Sequence, residues 1–295
     1  ASSIKVSRLM GGAIEKAVRF ARGQKFGVDR DTLAKIDKPV PFEAQLTSGE
    51  RKGTSGVASF VLGYTVALLL YMAILLYAVN VMRSVLEEKT NRVVEVMVAS
   101  TKPSALMVGK IAGVGSVGLL QLAIWATAAA IAYTFRGQLL RLFGLPATFP
   151  FELPSAGAAT LVIFLLYFVL GYFFFASIYA AVGAMCSSDQ EAQQVQAPIV
   201  MLPILPMVCM HVVSEDPRGP LAALVTQIPF ASPMLMPMRY VLGGASLGDV
   251  ALSLAILVAS LGLVVFLAAR IYRVGILMYG KRPSLGELGR WIRTS

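Results

Sequence analysis

One histidine, His211, and two cysteines, Cys186 and Cys209, are all that 295 residues supply of those types. A single imidazole is too few for the clusters that hold zinc or relay protons. Both cysteines lie in long apolar runs, the setting of packing residues rather than of a redox pair or a disulfide framework. Charge is scarce as well: Asp, Glu, Lys and Arg make up 14% of the chain, against about 25% in soluble domains. That disfavours a water-soluble enzyme and a disordered chain alike. What is present instead is apolar, with 57% hydrophobic residues and a mean hydropathy of +0.72. The net charge of +10 is gathered at the ends of apolar runs, which fits a lipid bilayer surface and not a nucleic-acid partner. The composition is that of an all-α polytopic membrane protein.

A helix needs about 20 mostly apolar residues to cross a hydrocarbon core of ~30 Å. Residues 57–82, 111–135, 155–186 and 250–270 meet that length, and each run is bounded by charged residues. A fifth run, 197–213, is shorter and holds Pro198, Pro203 and Pro206, so it reads as a kinked span whose freed backbone groups are re-satisfied by neighbours. Residues 219–240 are long enough for a sixth but contain Pro220, Pro229, Pro233 and Pro237. An interior proline costs a helix about 3 kcal/mol. A broken, re-entrant or interfacial pair of short helices is therefore expected there.

Counting cationic residues does not choose between five spans and six. Eleven of the 26 Lys and Arg fall in residues 1–56, five in 83–110 and six in 270–295. Six spans with both ends inside put 20 of them on the cytoplasmic side, whereas five put 11 there. Segments approaching ~60 residues translocate largely regardless of charge, however. Without residues 1–56, five spans give 11 inside against 4 outside, and six give 9 against 6.

The first residues carry no initiator Met and no apolar signal run, so an internal start at Ala1 is expected. Residues 8–26 read as a basic amphipathic helix with Ile14, Val18 and Ala21 on one face. Val40, Phe42, Ala44 and Leu46 then alternate as in a strand. One helix and one strand make no core, so residues 1–56 are expected to be a small partial α/β segment, the end and linker of a larger extracytoplasmic domain. A basic helix lying on anionic lipid is the other reading. At the opposite end, residues 273–295 form a basic tail. There Ser284 and Glu287 make a capping box ahead of Leu285, Leu288 and Ile292, with Trp291 at headgroup level.

Several motifs invite a catalytic reading. Gly113-Val114-Gly115-Ser116-Val117-Gly118 satisfies the dinucleotide fingerprint but lies inside a span, where glycines let helices pack closely, as in the Gly109/Gly113 pair. Gly109-Lys110-Ile111 lacks the hydroxyl that a P-loop places on magnesium. Gly53-Thr54-Ser55-Gly56 with His211 suggests an intramembrane serine protease, although Ser55 sits in a polar linker. Residues 57–82, 111–135, 155–186, 197–213 and 250–269 contain no Asp, Glu, Lys or Arg, which argues against proton relays. Tyr64, Tyr71, Asn80 and Gln121 read as bridges between helices. An ATP-independent channel or structural membrane protein stays open beside the protease.

Residues 83–110 carry more. They continue the first span without Gly or Pro, then break near Ser100-Thr101-Lys102-Pro103. Leu86, Val93 and Met97 share a face, charges fill the rest, and Glu88 and Arg92 stand at the favourable i,i+4 spacing. A rigid protrusion of this kind suits docking onto another protein.

The string Glu87-Glu88-Lys89-Thr90-Asn91-Arg92-Val93-Val94-Glu95-Val96-Met97, with Lys102-Pro103 and Gly109-Lys110 after it, resembles the permease subunits of type-2 ATP-binding-cassette exporters, the NatB-like sodium-efflux branch most closely. Ile228-Pro229-Phe230-Ala231-Ser232-Pro233-Met234 with Arg239, and the tail from Tyr272 to Gly280, are similar to that family too. The resemblance implies five spans here, with an earlier span and most of an extracytoplasmic domain preceding Ala1. It implies a transmembrane permease domain over 57–272, a coupling helix at 83–100 and a re-entrant element at 219–240 that includes Pro229, Pro233, Pro237 and Arg239. By the same resemblance Glu87, Glu88, Arg92, Glu95 and Met97 meet a separate ATPase subunit, which holds the ATP-Mg; this chain binds no cofactor and catalyses nothing. A second permease copy, as a homodimer, a bacterial inner-membrane location, and export of Na+ or a drug-like amphipathic compound complete what it implies.

Overall fold

The computed structural model describes residues 56–142 and 158–278, and among these every regular element is a helix. They run α1 Gly56–Thr90, α2 Val93–Ser100, α3 Pro103–Thr134, α4 Arg136–Leu142, α5 Ala158–Met185, α6 Asp189–Glu215, α7 Pro220–Val225, α8 Ser232–Val241 and α9 Leu247–Gly275. Five of these, α1, α3, α5, α6 and α9, are long and apolar enough to cross a bilayer. Helix is what such sequences must form, since hydrocarbon offers the backbone no other hydrogen-bond partner. The amphipathic helix and strand expected in residues 1–56 and the capped tail helix near Ser284 lie outside the described residues.

Local chemistry sets the ends. Pro103 occupies the first turn of α3, where its missing N–H costs nothing. Ser188 caps α6 by accepting from the Glu191 N–H, while Glu191 Oε2 accepts from the Ser187 N–H. That cap explains why α6 begins at Asp189, eight residues ahead of the apolar run at 197–213. Ser246 and Asp249 form a reciprocal capping box at the start of α9.

Glycines then fix how the helices run. A Cβ on Gly183 of α5 would lie 2.6 Å from the Met82 carbonyl oxygen of α1, and one on Gly275 of α9 would lie 3.1 Å from the Ala184 carbonyl. Toward the other end, Gly171 meets Pro233 and Ile74, and the Tyr167 hydroxyl donates to the Val250 carbonyl. Thus α1, α5 and α9 are parallel. Helix α3 returns against them, with Gly115 under Tyr172 and Gly118 under Tyr77. Helix α6 also returns, bringing Met210 and Val213 to Ala67 of α1. The ends near Thr90, Pro103, Met185, Asp189 and Gly275 therefore share one side of the bundle.

Two expectations change. Residues 83–100 are not one unbroken helix: α1 stops at Thr90, and Arg92 takes the left-handed backbone (φ 57°) before α2 begins. The Asn91 N–H bonds to the Glu87 carbonyl and the Arg92 N–H to the Lys89 carbonyl, a tightened last turn that ends the helix. Gly109 and Gly113 are not the close-packing glycines either, since a Cβ on each would meet nothing within 4 Å; Gly115 and Gly118 make the close approaches.

Candidate functional site

At the shared end, α1 stops level with the ends of α5 and α9 and turns through Asn91 and Arg92 into α2. Val94 seats α2 by packing into the same core cluster as Leu86 and Met107. The side of α2 away from that seat is open: Val93 and Glu95 are exposed, Val96 is 76% exposed, and Met97 is half-buried. Glu87, Asn91 and Arg92 are exposed on the adjoining turn. Four of the five residues expected at a docking surface, Glu87, Arg92, Glu95 and Met97, thus fall around this elbow, with the apolar Val93 and Val96 between them.

The fifth, Glu88, turns inward. Its carboxylate meets Lys110 Nζ of α3 at 2.6 Å, and that ammonium also donates to the Ser84 carbonyl (2.8 Å) and hydroxyl (3.1 Å). The pair is part-buried, and the two bonds to Ser84 occupy further donors of the ammonium, as a partly desolvated charge requires. The glutamate therefore ties the elbow to α3 rather than offering charge to a partner.

Lys89 was missed by the sequence pattern, which grouped it with the charged face. It is fully buried, and its ammonium donates to the carbonyls of Ala184 in α5 (2.5 Å) and Gly275 in α9 (2.7 Å). A signal did exist: Ala78, Met82 and Val85 precede it at helical spacing, and all three are buried. Lys89 continues that apolar stripe.

At the opposite end the four prolines of 219–240 are accommodated one by one. Pro220 and Pro233 stand in the first turns of α7 and α8, Pro229 lies between the helices, and Pro237 is interior to α8. Helix α8 is enclosed by α1, α5 and α6, every residue from Ser232 to Arg239 being buried. Arg239 Nε donates to the Pro217 carbonyl (2.8 Å), Nη1 reaches the Thr226 hydroxyl (3.4 Å), and Nη2 lies 4.0 Å from Asp249 of α9. One guanidinium thereby fastens α7, α8, α9 and the loop before α7. Its five fixed donors suit several acceptors at once.

The remaining candidates disperse. His211 Nε2 pairs with Glu215 one turn along α6 at 3.0 Å, both side chains being exposed, and Ser55 lies outside the described residues. Tyr64 and Asn80 are exposed. Polar bridging falls to tyrosines of α5 instead, Tyr172 donating to the Ile111 carbonyl at 2.7 Å. Among the described residues no three His, Cys, Asp or Glu side chains converge as metal ligands would.

Comparison with known sequences agrees with this geometry. The family model described as "ABC-2 family transporter protein" matches residues 2–270. The uncharacterized protein MJ1024 of Methanocaldococcus jannaschii is 29% identical over 259 residues, covering 88% of this chain and 60% of that protein. The uncharacterized protein YhaP of Bacillus subtilis is 24% identical over 270 residues, covering 91% of this chain and 64% of that protein. The chain therefore spans less than two thirds of the length of these relatives. No solved structure matches.

Proposed function

Because the chain belongs to the ABC-2 family of transporter proteins, we propose that it is the membrane-spanning permease part of an ATP-binding-cassette exporter, driven by a separate ATPase subunit. The observation that carries this reading is the elbow. A short helix with an exposed apolar and charged face is held at the tip of the longest apolar helix, on the side where the inner ends of the bundle meet. Force applied to α2 would reach α1 through one tight turn. Glu87, Arg92, Glu95 and Met97, with Val93 and Val96, are the proposed contact. In this reading the elbow side is cytoplasmic, and the α7–α8 insert with Arg239 is the extracytoplasmic re-entrant element. Residues 1–56 end an extracytoplasmic domain, and 273–295 form a cytoplasmic tail.

Two such permeases pair as a homodimer and open a path when their ATPase subunits close, a rigid-body switch between packed states. The resemblance of residues 87–97 to NatB-like permeases, with residues 228–234 and 272–280 similar to the wider type-2 exporter family, supports a bacterial inner-membrane exporter of Na+, with a drug-like amphipathic solute as the other cargo class. The test is association. Full-length permease co-expressed with its ATPase subunit should retain that subunit through purification, and Val96→Glu should lose it while the melting temperature of the permease stays unchanged. Undiminished co-purification by the variant would remove α2 as the contact. Stimulation of ATP hydrolysis by Na+, set against amphipathic cations, then discriminates the cargo.

A further inference from the structure

Lys89 stands two residues before the turn at Asn91 and Arg92 that joins α1 to α2, yet no part of it reaches the surface. Ala184 is the penultimate residue of α5 and Gly275 the last of α9. Their carbonyls belong to the final four that a helix leaves without an internal partner, at the end where its dipole is negative. A buried ammonium is tolerated only when hydrogen-bonded, and here both bonds run to other helices. The backbones at this level have no slack: a Cβ on Gly183 would meet the Met82 carbonyl at 2.6 Å, and one on Gly275 the Ala184 carbonyl at 3.1 Å. Glu88, the preceding residue, faces the other way and holds α3 through Lys110.

From this geometry we infer that Lys89 is the positioning residue through which displacement of α2 moves the inner ends of α5 and α9 together with α1. The inference rests on the permease reading of α2 and adds the step that follows it. Without the ammonium, α2 and α1 would shift while α5 and α9 stayed behind, and a stroke of the motor would no longer reshape the path.

The test is hydrogen exchange on the full-length permease in complex with its ATPase subunit in lipid nanodiscs, with and without ATP and vanadate. In the wild type, exchange in residues 93–100, 184–190 and 275–278 should change together on nucleotide trapping. Lys89→Met should keep the change in 93–100 and lose it in the other two segments, and Lys89→Arg, which still donates to two carbonyls, should restore it. A residue that only holds the fold would alter exchange equally with and without nucleotide. A Lys89→Met complex responding like the wild type in all three segments overturns the inference. So does a wild type in which 93–100 responds and the two helix ends do not, a result that needs no variant to fold. Silence of 93–100 itself would instead overturn the contact assigned to α2, and the Lys89 step with it.

Discussion

At the scale of single residues, glycines and lysines decide this molecule. Gly183 has a neighbouring carbonyl oxygen where its Cβ would be, and backbone cannot swing aside as a side-chain tip can. Gly183→Ala is therefore expected to cost about 1–3 kcal/mol through overpacking. Gly109→Ala and Gly113→Ala point into open space and should be neutral or stabilising by about 0.5–1 kcal/mol through helix propensity. Thermal unfolding of the purified permease separates the two cases. Of the glycines that the sequence offered for close packing, Gly115 and Gly118 meet a neighbour within the chain and Gly109 and Gly113 do not, because a G-x-x-x-G repeat states which residues share a face and not which face meets a partner. The Glu88–Lys110 pair allows a similar check. Lys110→Met should lower stability by about 1–3 kcal/mol by stranding a half-buried carboxylate. Adding Glu88→Gln should recover much of that loss, a coupling readable in a double-mutant cycle.

At the scale of elements, breaks matter more than helices. The turn at Asn91 and Arg92 converts a long rod into a rod with a foot, and Val94 keeps that foot seated. Nothing in residues 83–100 announced the turn, since neither Gly nor Pro is present and arginine takes the left-handed position. The α7–α8 insert is the opposite case: its prolines announced a break, and two short helices form there. What the prolines did not reveal is the fastening. Arg239 holds the Pro217 carbonyl, the Thr226 hydroxyl and the neighbourhood of Asp249. Arg239→Leu should loosen the insert locally. Hydrogen exchange in residues 217–231 is expected to rise well before the long helices exchange, because sub-global opening follows the weakest cooperative unit. Unchanged protection there would show that burial of α8 suffices without the guanidinium.

At the scale of the whole molecule, the five long helices alternate in direction, which places the elbow and the insert at opposite ends of the bundle. A single topology measurement therefore orients everything. With Cys186 and Cys209 replaced, Asn91→Cys should resist a membrane-impermeant maleimide in intact cells and react in inverted vesicles. Labelling in intact cells would reverse the proposed orientation and remove the elbow from reach of any cytoplasmic motor.

Composition and run length by themselves determined the class of this protein and four of its long helices. Excess apolar residue with charge confined to segment ends has no stable form in water, and about 20 apolar residues in a row have one in lipid. Charge counting could not decide between five spans and six. Among the described residues the structure has five helices long and apolar enough to cross, because residues 219–240 fold as two short helices, one of them enclosed among α1, α5 and α6, rather than as a rod. The tertiary structure also decided what Glu88 and Lys89 meet. The stripe of Ala78, Met82 and Val85 turned Lys89 inward, but the partners Lys110, Ala184 and Gly275 lie 22, 95 and 186 positions further along the chain, and contacts at such separations exist only once helices have packed.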